Sequence, residues 1–124
     1  CMIVVMTDAP LGSRNLERLA KRAMMGLAKT GGIASNGSGD YVIAVSTARE
    51  NLIPYQKESL LLETKELKNN AVTPLFLAVI EATEEAIINS LFATNTMTGV
   101  KKHQRKAIPV NEIVNLMKKH KAIQ

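Results

Sequence analysis

The chain has 124 residues, 46% hydrophobic and 22% charged, which fits one ordinary globular domain. No stretch reaches the about 18 uninterrupted apolar residues of a spanning helix, and a single cysteine excludes an intrachain disulfide or a multi-thiolate metal cage. The net charge of +5 is local: from Lys101 onward there are seven basic residues and one acid, leaving nine basic and ten acidic residues before it.

Residues 2–7, Met-Ile-Val-Val-Met-Thr, are apolar and rich in β-branched side chains, and Asp8, Pro10 and Gly12 bound them. The run predicts a strand buried on both faces. A helix from Ser13, as N-cap, to about Lys29 follows, stopped by Gly31-Gly32. Leu16, Leu19, Ala20, Ala23, Met24 and Leu27 keep helical spacing on one side of it. Tyr41–Ser46 is a second apolar strand and the expected partner of the first. Two buried strands joined across a helix predict a sheet covered by helices on at least one side.

Residues 51–70 give no clear element, because Leu60-Leu61-Leu62 is short and flanked by charge. Val72-Thr73-Pro74 predicts a helix start, with Thr73 capping and Pro74 in the first helical position. Val72 and Leu77 have the spacing of a hydrophobic staple. This helix runs to about Phe92 and is apolar nearly all round before Glu81, as if packed between other elements. A Thr/Asn/Met/Gly turn and a basic stretch follow. A short helix near Pro109 then places Val110, Ile113, Leu116 and Met117 on one face. The chain shows no internal repeat and no low-complexity segment.

Translation starts with methionine, yet the sequence opens on its only cysteine. The expectation is a chain cut from a longer one, or made to begin there. A terminal cysteine joins a thiol to an α-amine whose ordinary pKa is about 7.7–8.0, so the amine can act as general base without a histidine. That is the arrangement of an N-terminal nucleophile hydrolase. The bland alternative is a buried cysteine opening a strand, or a remnant of cleavage.

Gly31–Asp40 is rich in glycine and small polar residues but lacks GxxxxGK[ST] and a following helix, so it is a poor phosphate loop. If extension begins by Ser38, then Ser38 and Asp40 share a face and Tyr41 takes the other. A carboxylate orienting a hydroxyl, and the hydroxyl touching the nucleophile or its amine, would form a relay. The same residues also make an ordinary Asn-Gly and Ser-Gly turn with Asp40 bonded to its own backbone.

His103 and His120, both in the basic tail, have no partners at metal spacing and are expected on the surface. No metal and no cofactor is expected. Lys101–Lys106 could meet an acidic partner, but four aromatics (Tyr41, Tyr55, Phe76, Phe92) leave little for stacking on bases. A solvated loop is the better account, and neither nucleic acid nor a membrane is an expected partner. A non-enzymatic basic binding module remains the alternative from a different class.

Cys1-Met-Ile-Val-Val-Met-Thr-Asp-Ala-Pro-Leu11, Ser13–Ala20, Ala23–Ala28, Ser35-Asn-Gly-Ser-Gly-Asp-Tyr41, Thr83–Ile87 and Thr96-Met-Thr-Gly99 resemble the β-chain of DmpA-like aminopeptidases. These are the L-aminopeptidase/D-esterase and β-peptidyl aminopeptidase family. The resemblance covers residues 1–99 and loosens in the basic end. It implies a layered α-β-β-α sandwich of the DmpA and ornithine acetyltransferase type, completed by a separate α-chain. Residues 1–124 would then be the β-subunit of one αβ catalytic domain. The precursor would cleave itself before the nucleophile, and the αβ units would assemble into a higher oligomer.

The implied activity is release of N-terminal residues from small peptides, amides or esters. Acyl transfer of the ornithine acetyltransferase type is the alternative. Position by position, Cys1 takes the nucleophile's place, and Ser38 and Asp40 those of the supporting hydroxyl and carboxylate. The family often has Glu where Asp40 stands and typically serine, sometimes threonine, where Cys1 stands. The oxyanion donors would lie mostly in the α-chain. A cytoplasmic location is the expectation, although a targeting signal would sit on that other chain.

Overall fold

The structure, a computed structural model, describes residues 1–55 and 59–123, so Gln56–Glu58 of the unassigned stretch lie outside the described residues. It divides into two compact units, Cys1–Glu85 and Ala86–Gln124. In the first, strand β1 (Met2–Thr7) pairs in parallel with β2 (Tyr41–Ser46), in register from Met2 opposite Tyr41 to Thr7 opposite Ser46. Helix α1 (Ser13–Lys29) makes the crossover. Ile3, Val5, Val42 and Ala44 on one sheet face pack against a core of Leu11, Leu19, Ala23, Val72 and Val79.

The other face is not covered among the described residues. Met2, Val4 and Met6 are 65%, 58% and 67% exposed, and Tyr41 and Ile43 lie beside them in β2. Burial on both faces of β1 and β2 is thus not reached among the described residues. Successive strand residues point to opposite faces, and the described helices cover only one.

The start of α1 also departs from expectation. Gly12, not Ser13, is the N-cap: its carbonyl accepts from Asn15 N and Leu16 N, at 3.0 Å each, and no side chain caps the turn. A Cβ at Gly12 would meet the Glu66 carboxylate, the free end of a side chain that can move aside. The stop at Gly31-Gly32 is as expected. Gly31 is left-handed (φ 95°), its N–H reaches Ala28 O, and Gly32 N–H reaches Leu27 O, the Schellman pattern.

Helix α2 (Thr73–Ala93) begins one position earlier than expected. Val72 already has helical backbone angles on leaving a short turn at Asn69–Ala71, and its carbonyl accepts from Phe76 N at 3.2 Å. Thr73 is thus inside the helix, and the staple position shifts from Leu77 to Phe76. Leu77 is exposed, so the helix is not buried all round. Phe76 packs on the core, with the Arg22 guanidinium 3.5 Å from its ring centroid and Arg18 at 4.8 Å.

Helices α1 and α2 meet closely at Gly26. A Cβ there would stand 2.6 Å from Ile80 O and 2.7 Å from Thr83 Cβ. Thr83 is itself buried and donates its hydroxyl to Val79 O at 2.7 Å. An ion pair between Lys29 and Glu84 closes the same interface. Along the intervening loop, Asn51 bonds both backbone groups of Lys65, donating from Nδ2 and accepting at Oδ1, at 2.8 Å each.

In the second unit the expected turn and the basic stretch after it form an antiparallel hairpin, β3 (Met97–Thr98) with β4 (Gln104–Arg105). Lys101 and Lys102 at its tip both have positive φ, 55° and 61°, the signs of the primed turns that match strand twist. Glycine or asparagine usually fills such positions, so two lysines there carry no local signal of a hairpin. Helix α3 (Val110–Lys119) starts after Pro109 as expected, although Leu116 is exposed and Val114 takes its place among the half-buried residues. His103 and His120 are exposed. None of the helices among the described residues is long and apolar enough to cross a membrane.

The close approach at Gly26 yields a stability prediction. Gly26→Ala would lower the denaturant midpoint of the protein by overpacking worth about 1–3 kcal/mol, because backbone rather than a flexible side chain blocks the methyl group. Urea unfolding followed by circular dichroism measures this; an unchanged or higher midpoint would show that the helices separate freely.

Candidate active site

The strand register builds the site. Tyr41 N–H donates to Cys1 O at 2.9 Å, one step before the first paired residues, and this sets Cys1 beside Asp40 at the start of the sheet. The α-amine of Cys1 donates to Asp40 Oδ1 at 2.8 Å and to the Gly39 carbonyl at 3.3 Å. Ser38 donates its hydroxyl to the other carboxylate oxygen, Oδ2. Asp40 is thus held by both oxygens, and its side chain is only 9% exposed against 37% for Cys1.

The three candidates from the sequence are brought together, in a different order from the expected relay. The carboxylate stands in the middle and meets the amine itself, while the hydroxyl braces it from the far side. Extension begins only at Tyr41. Ser38 lies in a turn closed by its N–H to Ser35 O at 2.8 Å, and it reaches Asp40 by a two-residue side-chain bond. The Gly39 carbonyl is a further member that side-chain patterns miss. The pairing of β1 with β2 was the available signal, because it places residues 39–40 against residue 1.

Electrostatics follow the contacts. The hydrogen bond from the Cys1 amine, then that from Ser38, holds the Asp40 carboxyl below its ordinary range, and partial desolvation opposes them. The carboxylate is ionised at neutral pH and can orient an amine. The amine can accept a thiol proton, and the thiolate is the stronger nucleophile. Among the described residues, no group of three or more His, Cys, Asp or Glu side chains could hold a metal ion.

The sequence matches the model of Peptidase family S58 over residues 1–105. The chain belongs to Peptidase family S58. It is 39% identical to a β-peptidyl aminopeptidase, BapA, of Sphingosinicella microcystinivorans, covering 98% of this chain and 30% of that protein. A solved protein of Pyrococcus horikoshii superposes with a TM-score of 0.81 at 47% identity, over 94% of this chain and 33% of the other.

The L-aminopeptidase D-Ala-esterase/amidase of Ochrobactrum anthropi also superposes at 0.81, with 30% identity and the same coverages. It is described as a prototype of the serine aminopeptidases and a variant of the Ntn hydrolase fold. The α/β arrangement of this S58 chain is therefore part of that fold. The chain spans about a third or less of the length of these relatives.

The bonding of Asp40 predicts its titration. A carboxyl whose pKa is lower folded than unfolded adds stability that is present above the unfolded value and lost as pH falls through the folded one. By NMR, the Asp40 carboxyl should stay ionised to below the ordinary 3.8, and Ser38→Ala should bring its midpoint part of the way back up. A midpoint unmoved by Ser38→Ala would remove the hydroxyl from the electrostatics of the site.

Proposed function

We propose that this chain is the β-part of a self-processed aminopeptidase that releases N-terminal residues from small peptides, amides or esters through an acyl-enzyme on Cys1. The observation that carries the reading is the 2.8 Å contact between the Cys1 amine and a carboxylate fixed on both oxygens. Family membership and the aminopeptidase names of the relatives support it.

In this reading the amine takes the proton of the Cys1 thiol, and the thiolate adds to the substrate carbonyl. The tetrahedral adduct collapses as the ammonium returns that proton to the leaving amine, which departs with the bond to nitrogen broken. Water then attacks the thioester, giving up a proton to the amine, and the acid leaves as sulfur is protonated again. Asp40 keeps the amine in position throughout, and Ser38 keeps Asp40 in position. Cysteine replaces the serine of the Ochrobactrum enzyme's class without changing the sequence of steps.

The partner in this reading is an α-chain from the same precursor, which supplies the remaining layers and the oxyanion donors. The uncovered apolar face of β1 and β2 supports it, since a patch of Met2, Val4, Met6, Tyr41 and Ile43 is costly to leave in water.

Two experiments test these statements. Cys1→Ala in the full protein should lower kcat/KM on an aminoacyl amide by about a thousandfold or more, as loss of a nucleophile does. Turnover at the parental rate would refute the role of Cys1, and aminoacyl transfer products that dominate when an amine is added would make the enzyme a transferase. Separately, Val4→Asp with Ile43→Asp should reduce recovery of a copurifying second chain. Full recovery would mean that the sheet face is not the docking surface.

A further inference from the structure

We propose that the two hydrogen bonds on the Cys1 amine, to Asp40 and to the Gly39 carbonyl, protect the acyl-enzyme from acylating its own amine. The inference rests on the reading of Cys1 as nucleophile. An acyl group on Sγ shares a residue with that amine. Nitrogen, Cα, Cβ, sulfur and the acyl carbon can close a five-membered ring.

If nitrogen attacks, the new C–N bond forms as the C–S bond breaks. The amine's proton passes to the departing sulfur, which ends as a free thiol. No other reactant is needed. The product is an amide, far more stable than a thioester, and it leaves the enzyme without its base. Reacting groups tied together in this way have effective molarities of about 10⁵–10⁸ M when well oriented, so the side reaction must be held off by geometry.

The site supplies that geometry. Of the three positions on nitrogen not bonded to carbon, two are N–H bonds directed at Asp40 Oδ1 (2.8 Å) and Gly39 O (3.3 Å). The third is left for the lone pair or the proton it accepts. Ring closure needs the third position, the lone pair, turned onto the acyl carbon one bond beyond sulfur, and that rotation about the N–Cα bond carries both N–H bonds off their acceptors. Neither acceptor follows easily. Ser38 holds the second oxygen of Asp40, and Gly39 is backbone at the head of β2, where Tyr41 N–H bonds Cys1 O at 2.9 Å. A thioester is more open to amines than an ester, so a cysteine enzyme needs the tether more than a serine one. Asp40 is in this respect a positioning residue, acting through the amine.

The test uses the full protein, an aminoacyl thioester substrate, hydroxylamine added or withheld while the protein is still folded, an acid quench, and mass mapping of the N-terminal peptic peptide. In the parent the acyl adduct should be removed by hydroxylamine. In Asp40→Asn and Asp40→Ala a hydroxylamine-stable adduct should build up on the same peptide, and activity should decay within at least about tenfold fewer turnovers.

Only labile adducts in both variants, or stable adduct at the parental rate, would overturn the proposal. Ser38→Ala keeps the carboxylate but frees one oxygen, so it should give an intermediate yield even if the Asp40 variants fail to mature; a parental yield would count against the tether. No adduct in any form, together with parental turnover by Cys1→Ala, would instead sink the nucleophile reading itself.

Discussion

Parallel pairing between β1 and β2 is the constraint from which the site follows. With Met2 opposite Tyr41, the residue before each strand falls beside its counterpart, and the Cys1 amine meets Asp40. Strand side chains alternate with a period of two, so a slip of one residue would send the apolar core set of each strand to the wrong face. It would also separate the amine from the carboxylate. Core packing thus opposes a one-residue slip, and the chemistry uses the same alignment. Ile3, Val5, Val42 and Ala44 all face the core in the same alignment that assembles Cys1, Gly39 and Asp40.

Two short strands are marginal alone, and the crossover helix supplies the apolar surface they need. That helix is held at two places by residues that lack a side chain. Gly26 admits the backbone of α2, and Gly31 takes the left-handed turn that ends it. Leu19 and Ala23, earlier in the helix, are buried in the core cluster. Rigidity at the head of the sheet comes from this packing, because the site residues are themselves at a strand start and in a turn.

The strands carry apolar side chains on both faces, yet among the described residues one face alone is covered. In the proposed reading this apolar face is where the α-chain would lay its own layer, and the chain's span of about a third of its relatives is consistent with that. The hairpin of the second unit is a different case, with lysines at Lys101 and Lys102 held in a conformation that suits glycine.

Strand and helix positions were legible in the sequence wherever periodicity was strong: residues 2–7, the helix ending at Gly31-Gly32, residues 41–46 and α3. Cys1, Ser38 and Asp40 were legible as a group through their resemblance to one family. Caps and contacts were not. Ser13 and Thr73 have the chemistry of caps, but the path of the chain at Gly12 and the turn entering Val72 moved both helix starts. The hairpin at Lys101-Lys102 hid because its turn type contradicts local propensity.

The order amine, carboxylate, hydroxyl was likewise beyond the sequence, since it depends on where extension begins and on a backbone carbonyl that every residue possesses. Sequence determined which segments are apolar and which groups carry reactivity, because these are properties of single residues and their spacing. Tertiary structure alone decided which of those groups touch, because contact depends on register, and register is settled by packing summed over the core.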